Sequence, residues 1–391
     1  MTDPIIIVGA GQTGIKAAET LRTNGYDSDL MLIGEEKWPP YQRPPLSKAY
    51  LKGELAEDRL FLKAPDYYEK SNIRLLTGTC VTSIDPAGKR LALDNEKTLS
   101  YSKLLLATGT RARTLPLACA ELAGVFTLRG IDDIARIARA LERAEAVAII
   151  GGGYVGMEFA AVAREMGKQV AVIETQDRIL KRSVAPQISE FFQDLHRERG
   201  VRVVLGQGVE RIAGSGRAEG VVLSSGKTVP ADIVLVAAGA IPVTELAAGA
   251  GLDVDRGIVV DEACRSSVPD IFAAGDCTVF PSRRYGRRIG LESVQNASDQ
   301  GKAAALSMLG QDVAYDPVPW FWSDQYDVKL QIAGLAQGYD RTELIGDPSE
   351  GRFALRYFDG DTLFAVDAVN DPRSHMMARK ELAAQGEAMA V

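Results

Sequence analysis

Two glycine fingerprints of one form, Gly9-Ala10-Gly11-Gln12-Thr13-Gly14 and Gly151-Gly152-Gly153-Tyr154-Val155-Gly156, occur in a single chain. Nothing else in the sequence constrains the fold as strongly. The first glycine permits a tight turn, the second lets backbone approach a pyrophosphate, and the third allows close helix-strand packing. The phosphates then rest on the N-terminus of the following helix. Ile5-Ile6-Ile7-Val8 precedes the first copy, and Ile15 to Leu21 follows with helical spacing, then Leu30-Met31-Leu32-Ile33 and Glu35. Around the second copy stand Val147-Ala148-Ile149-Ile150 and Val170-Ala171-Val172-Ile173-Glu174. A lone GxGxxG is weak evidence, but strand, glycines, helix, strand and acid recur in order twice. The pattern predicts two dinucleotide-binding units in an α/β chain.

The chain of 391 residues suggests two or three domains, and its 46% hydrophobic content is ordinary for a globular protein. Its net charge of −7 argues against broad nucleic-acid binding, which needs a basic face. The N-terminal apolar run is too short, and its flank too acidic, for a secretory signal, and no later run approaches the roughly 18 residues that span a membrane. The expectation is a cytoplasmic protein with no membrane partner. The four cysteines, Cys80, Cys119, Cys264 and Cys277, show neither C-x-x-C nor zinc spacing, so structural disulfides are not expected. With two histidines, His196 and His375, there is little material for a histidine metal site or a Ser-His-Asp hydrolase. His196, inside Phe191 to Arg197, reads as a helix-face residue. Chemistry must then come mainly from bound cofactors.

Past the first unit, Trp38 to Lys48 carries four prolines that exclude regular structure until a helix can resume at Leu46. Short β-like runs follow at Ile73 to Leu76 and Arg90 to Leu93, and Leu104-Leu105-Leu106-Ala107-Thr108-Gly109 reads as a buried strand breaking at glycine. Ile233 to Gly239 repeats that closing strand, and Ile271-Phe272-Ala273-Ala274-Gly275-Asp276-Cys277 makes a third strand-to-glycine break. Ser293 to Leu309 has helical spacing and is expected to return the chain to the first domain. After Pro317 and Pro319, alternating stretches at Val328 to Ile332, Phe353 to Phe358 and Leu363 to Val369 predict antiparallel strands. The expected architecture is two Rossmann-like domains plus a small α+β C-terminal domain: residues 1–114 with 241–316, then 115–240, then 317–391.

Arg43-Pro44-Pro45-Leu46-Ser47-Lys48, Leu106 to Gly109, Ile271 to Cys277 and Pro319-Trp320-Phe321-Trp322-Ser323-Asp324-Gln325 together resemble the two-dinucleotide-binding flavoprotein reductases. Within them, the chain resembles the ferredoxin reductases of putidaredoxin-reductase type, which serve bacterial cytochromes P450 and Rieske oxygenases. The resemblance covers essentially the whole chain. It departs in a short tail after Asp371 and in Ser266-Ser267, where a Thr is common. It implies FAD at the first fingerprint (Gly9, Gly11, Thr13, Gly14) and NADH at the second (Gly151, Gly153, Tyr154, Val155, Gly156), with Gly239 beside it.

Glu35 ends the second strand of the FAD unit, where a carboxylate accepts both hydroxyls of an adenosine ribose, and neighbouring Glu36 competes for that role. Glu174, at the equivalent place in the second unit, would repel a 2′-phosphate and so favour NADH over NADPH. Arg178 and Arg182 could meet a phosphate, and the resemblance has them grip the NADH ribose or pyrophosphate. By the same resemblance Lys48 and Glu158 stand beside the reactive edge of the flavin, forming an ion pair that flanks the nicotinamide. Asp276 either hydrogen-bonds the ribityl chain or only closes a turn. A helix beginning at Ser293 and Val294 could aim its N–H groups at the flavin and stabilise the reduced anion. Arg43, Val81, Ala107, Thr108, Gly109, Arg129 and Gly275 are further FAD contacts implied by the family pattern. Trp320 either walls the flavin pocket or packs in a core.

Disulfide reductases of this superfamily carry a cysteine pair after the first nucleotide unit, and related oxidases carry one cysteine there. Tyr41 to Leu51 contains none. Two electrons arriving as hydride would therefore leave singly, which suits an iron-sulfur partner. Arg283-Arg284-Tyr285-Gly286-Arg287-Arg288 is either a solvated loop or the docking site for a small acidic [2Fe-2S] ferredoxin. Two other readings stay open: a rubredoxin reductase or general NADH:acceptor reductase, and a redox-sensing, NADH-dependent interaction protein.

Overall fold

A computed structural model describes residues 3–118 and 120–389; Cys119 lies outside them. Two compact units emerge from the packing. The first holds residues up to Gln42, Glu57–Arg111 and Ile241–Pro319, and the second holds Arg43–Ala56, Ala112–Ala240 and Trp320 onward. The expected boundaries put 43–56 with the first unit, whereas this segment packs with the second. Its side chains find their partners there, as described below.

In the first unit a parallel five-stranded sheet runs in the order Ile271–Ala273, Lys103–Leu106, Ile5–Val8, Leu30–Ile33, Ile73–Leu76. Every residue of Ile5–Val8 is buried, as an apolar central strand covered on both faces requires. Helix Gln12–Thr23 packs along helix Val294–Met308, the return predicted for Ser293 to Leu309. A three-stranded antiparallel sheet of Val81–Asp85, Arg90–Leu93 and Thr98–Ser100 belongs to the same unit.

The second unit repeats the plan: Arg202–Val204, Gln169–Ile173, Ala146–Ile150, Ile233–Val236 and Val125–Thr127 form a parallel sheet in that order. Both sheets place the strand before the fingerprint at the centre, between the second strand and the closing strand. The C-terminal part of this unit is an antiparallel sheet ordered Trp320–Gln325, Val328–Gly334, Thr362–Val369, Arg352–Asp359, Arg341–Asp347, covered by helix Pro372–Met389. Trp320–Gln325 lies against helix Tyr154–Glu165, which follows the second fingerprint.

One predicted element is replaced. From Arg43 to Gly53 the chain forms successive turns rather than a helix from Leu46. Pro44 and Pro45 have no N–H to give. The bonds that do form mix spans, Lys48 N to Pro45 O at 3.0 Å and Tyr50 N to Pro45 O at 3.0 Å, so no i to i+4 ladder develops.

Candidate active site

Both fingerprints fold into the turn that their glycines require. At Gly9, φ is +119°, and a β-carbon there would sit 2.0 Å from Ala107 O; one at Gly14 would sit 2.0 Å from Gly9 O. Around Gly11, by contrast, there is nothing within 4 Å of such a carbon. The second copy matches: Gly151 and Gly156 are hemmed at 2.4 Å and 2.3 Å, while Gly153 faces open space. Gly11 and Gly153 are the N-caps of their helices and neither offers a side chain to the first-turn N–H groups. Each cradle thus combines backbone donors, a helix N-terminus and room at one glycine, which fits the phosphates of a dinucleotide.

The acids that follow the second strands differ in register. Gly34 N donates to Leu76 O and Glu174 N donates to Val204 O, both at 2.8 Å, so Glu174 corresponds to Gly34 and not to Glu35. The expected equivalence of Glu35 and Glu174 is corrected by one residue. The reason is local: a side chain at Gly34 would meet the Ala10 β-carbon at 2.6 Å. Glu35 is exposed one residue further on, and Glu36 accepts from Tyr41 Oη at 2.5 Å. Glu174 is tied into its own cradle, accepting from Gly152 N at 2.7 Å and Gln176 N at 2.9 Å.

Elsewhere in the first unit, Thr13 is buried against Gly275, where a β-carbon would come within 2.3 Å of Thr13 Oγ1. Thr108 Oγ1 donates to Val243 O at 2.6 Å, and Gly109 turns with φ of +65°. Ala107 and Val81 are buried and Asp276 is half-buried after Gly275. Ser293 caps helix Val294–Met308, accepting from Asn296 N at 3.0 Å, so one of the N–H groups assigned to the flavin is already engaged. Arg283, Arg287 and Arg288 are exposed and Arg284 is half-buried, around the turn that joins Thr278–Ser282 to Arg287–Ile289.

In the second unit, Arg43 Nη1 donates to Arg129 O at 2.8 Å, bringing two expected FAD contacts together. Val155 is exposed, and Arg182 lies near Gly239, its Nη2 3.5 Å from where a β-carbon would be. Arg178 departs from expectation: its Nη1 donates to Val184 O at 2.8 Å and Ser189 Oγ at 2.7 Å, bracing its own loop. Trp320 stacks on Trp322 with ring centroids 5.7 Å apart, and Arg379 lies over its ring.

The strongest chemical feature is an ion pair between a half-buried lysine and a buried glutamate. Lys48 Nζ lies 3.0 Å from Glu158 Oε1, although the two come from the proline-led segment and the helix after the second fingerprint. Glu158 is 6% exposed. Its Oε1 also accepts from Ser323 Oγ at 2.7 Å and its Oε2 from Ser47 Oγ at 3.0 Å. Burial raises the Glu158 carboxyl above the usual carboxylate range, opposed by Lys48 and the two hydroxyls. Sequence reasoning named Lys48 and Glu158 but assigned nothing to Ser47 or Ser323. The available signal was a serine on the alternating, inward side of a strand with Phe321 and Gln325.

Three free cysteines lie among the described residues, Cys80, Cys264 and Cys277. Burial pushes the Cys264 and Cys277 thiols up, away from thiolate chemistry. No group of His, Cys, Asp and Glu among those residues could hold a metal ion, and no helix among them is long and apolar enough to cross a membrane.

Residues 3–301 match the family described as pyridine nucleotide-disulphide oxidoreductase, and residues 320–391 match the reductase C-terminal family. The chain belongs to the pyridine nucleotide-disulphide oxidoreductases. Among curated members it is 42% identical to rhodocoxin reductase of Rhodococcus erythropolis, over 97% of this chain and 90% of that one. It is 40% identical to the ferredoxin–NAD(+) reductase component of the anthranilate 1,2-dioxygenase system of Burkholderia cepacia, over 98% and 94%. Among solved structures it resembles the reductase of the covalent putidaredoxin reductase-putidaredoxin complex, with TM-score 0.94, 39% identity, and coverage of 97% and 93%. This chain shares the family's fold while lacking cysteine in the segment Tyr41 to Leu51.

Proposed function

We propose that the protein is an NADH-dependent, FAD-containing ferredoxin reductase that supplies a [2Fe-2S] ferredoxin of a cytochrome P450 or Rieske oxygenase system. Bound FAD would supply the two-electron to one-electron chemistry, so that one NADH reduces two ferredoxins by one electron each with release of NAD+ and one proton. The observation that carries the reading is the pair of phosphate cradles in a chain whose segment Tyr41 to Leu51 holds no cysteine. It is supported by relatives named as ferredoxin reductases across nearly the full length. FAD belongs at the cradle of Gly9, Gly11, Thr13 and Gly14, and NADH at that of Gly151, Gly153 and Gly156. Lys48 and Glu158 are the residues we assign to orienting the nicotinamide for hydride transfer.

The purified protein should be yellow, with an oxidised-flavin spectrum that bleaches when NADH is added anaerobically. A colourless preparation that releases no nucleotide on denaturation would overturn the reading. We assign ferredoxin docking to Arg283, Arg284, Arg287 and Arg288, a cationic turn on a chain of net charge −7. Reversing them to Glu should slow ferredoxin reduction and flatten its salt dependence without altering bleaching by NADH. An unchanged rate at low salt would remove the docking assignment.

A further inference from the structure

The Glu158 carboxylate is the end of a longer buried chain of hydrogen bonds. Ser323 Oγ lies 2.7 Å from Glu158 Oε1, Gln325 Nε2 lies 3.3 Å from Ser323 Oγ, and His196 Nε2 lies 2.9 Å from Gln325 Oε1. Ser323, Gln325 and His196 are all fully buried. Ser323 and Gln325 alternate along strand Trp320–Gln325 and so share a face, which a strand buried in a hydrophobic interior ordinarily fills with apolar side chains. His196 comes from helix Pro186–Glu198. Three separate segments thus contribute polar groups to one line ending at the ion pair.

The direction of every bond in that line follows from the carboxylate. An ionised Glu158 only accepts, so the Ser323 hydroxyl must donate to it. That hydroxyl has one hydrogen, so Ser323 Oγ accepts from the Gln325 amide nitrogen. The Gln325 carbonyl oxygen therefore faces His196, whose Nε2 must carry the proton. Burial depresses His196 to about 4, so the ring is neutral at physiological pH and Nδ1 carries no proton. The hydrogen bond to Gln325 opposes that shift without cancelling it, and the Tyr326 ring lies with its centroid 5.0 Å from that of His196. A neutral histidine of one tautomer fits the line, and a leucine or an acceptor would not.

We propose that His196 is a positioning residue for the Lys48–Glu158 pair, acting through Gln325 and Ser323 to fix the rotamer of the Glu158 carboxylate. The inference rests on the assignment of that pair to hydride transfer. His196 touches neither nucleotide cradle; its work is to hold Gln325 in the one orientation that leaves an amide N–H for Ser323. Without the Nε2 proton, the Gln325 amide loses the partner that sets its flip, the Ser323 hydroxyl turns, and Glu158 loses one of its three donors.

The test uses the FAD-loaded full chain carrying His196→Phe, which keeps a ring and removes the donor, and His196→Gln, whose amide restores a donor near the Nε2 position. His196→Phe should slow flavin bleaching at saturating NADH by about tenfold, as expected for a misplaced orienting group, with the NADH concentration for half-saturation shifted by less than about twofold. His196→Gln should return the rate to within about twofold of wild type. In a Glu158→Gln background His196→Phe should have no further effect on the rate, which a general loss of folding would not reproduce. A crystal structure of His196→Phe should show Glu158 rotated away from Ser323, a readout that needs no turnover. Should His196→Phe fail to fold, Gln325→Leu removes the bonds to both Ser323 and His196 and should give the same slowing. Wild-type bleaching with Glu158 unmoved, or slowing that His196→Gln does not restore, would overturn the proposal. Wild-type protein that NADH does not bleach would instead overturn the assignment of the pair, while the crystallographic comparison would still decide whether His196 positions Glu158.

Discussion

Replacing Lys48 by Met removes the cation and leaves a carboxylate in the interior with two hydroxyl donors. At 3.0 Å the attraction between the two charges is about 5.5 kcal/mol at an effective dielectric of about 20. Lys48 recovers part of that through the desolvation it no longer suffers, and the Met stem keeps its packing, so the expected loss of stability is about 3 kcal/mol at pH 8. The loss is pH-dependent, with a definite sign. Glu158 is already raised by burial, and losing Lys48 raises it further. In the variant, the folded state therefore holds a proton that the unfolded chain has given up above about pH 4.3. Stability must fall as pH rises from there through the folded pKa, by up to about 1.4 kcal/mol per pH unit. As pH falls toward the ordinary carboxylate range the carboxyl takes up its proton and the penalty shrinks. Urea unfolding followed by tryptophan fluorescence suits the measurement, because Trp320 and Trp322 lie on the strand that carries Ser323. A loss below about 1 kcal/mol at pH 8, or a loss that does not shrink as pH falls, would show that Lys48 does not compensate the Glu158 charge.

The glycine cradles separate folding from binding. Gly11→Ala should cost less than about 1 kcal/mol of stability yet weaken flavin retention by at least about tenfold, measured by equilibrium dialysis, because its methyl group enters the open space. Gly14→Ala, 2.0 Å from Gly9 O, should not give stable protein at all, as judged by yield and circular dichroism. Asp367, buried and donated to by Tyr357, is raised by desolvation to about 7. Because the folded state holds that proton, wild-type stability should decline between about pH 4 and pH 7, by up to about 1.4 kcal/mol per unit. Asp367→Asn should remove that part of the slope in parallel urea titrations at pH 5 and pH 8.

The parallel strands were legible because their residues are apolar on both faces, so Ile5–Val8 and Ala146–Ile150 stand out as continuous runs. Arg341–Asp347 was not, since it is an edge strand with mostly exposed side chains and no alternation to read. Prolines at the start of the turn run after Arg43 are equally compatible with a helix N-terminus, so turns and a helix read alike there. At the site, Lys48 and Glu158 could be named from motifs, but Ser47 and Ser323 bond to Glu158 across segments far apart in sequence, and no periodicity reports such a meeting. The helix that carries His196 is legible but its inward side is not, because a lone histidine carries no sign of which helix face is covered. The single-residue offset of Glu174 arises from Ala10 crowding Gly34, a contact between two loops that spacing alone does not encode.

In this reductase a hydride enters and electrons leave singly without a thiol relay. Anaerobic mixing of the holoprotein with limiting NADH and excess oxidised [2Fe-2S] ferredoxin, followed in the visible spectrum, tests it most directly. Two ferredoxins should be reduced for each NADH consumed, at a rate that alkylation of accessible cysteines leaves unchanged. Full consumption of NADH with no reduced ferredoxin, or loss of transfer on alkylation, would contradict it.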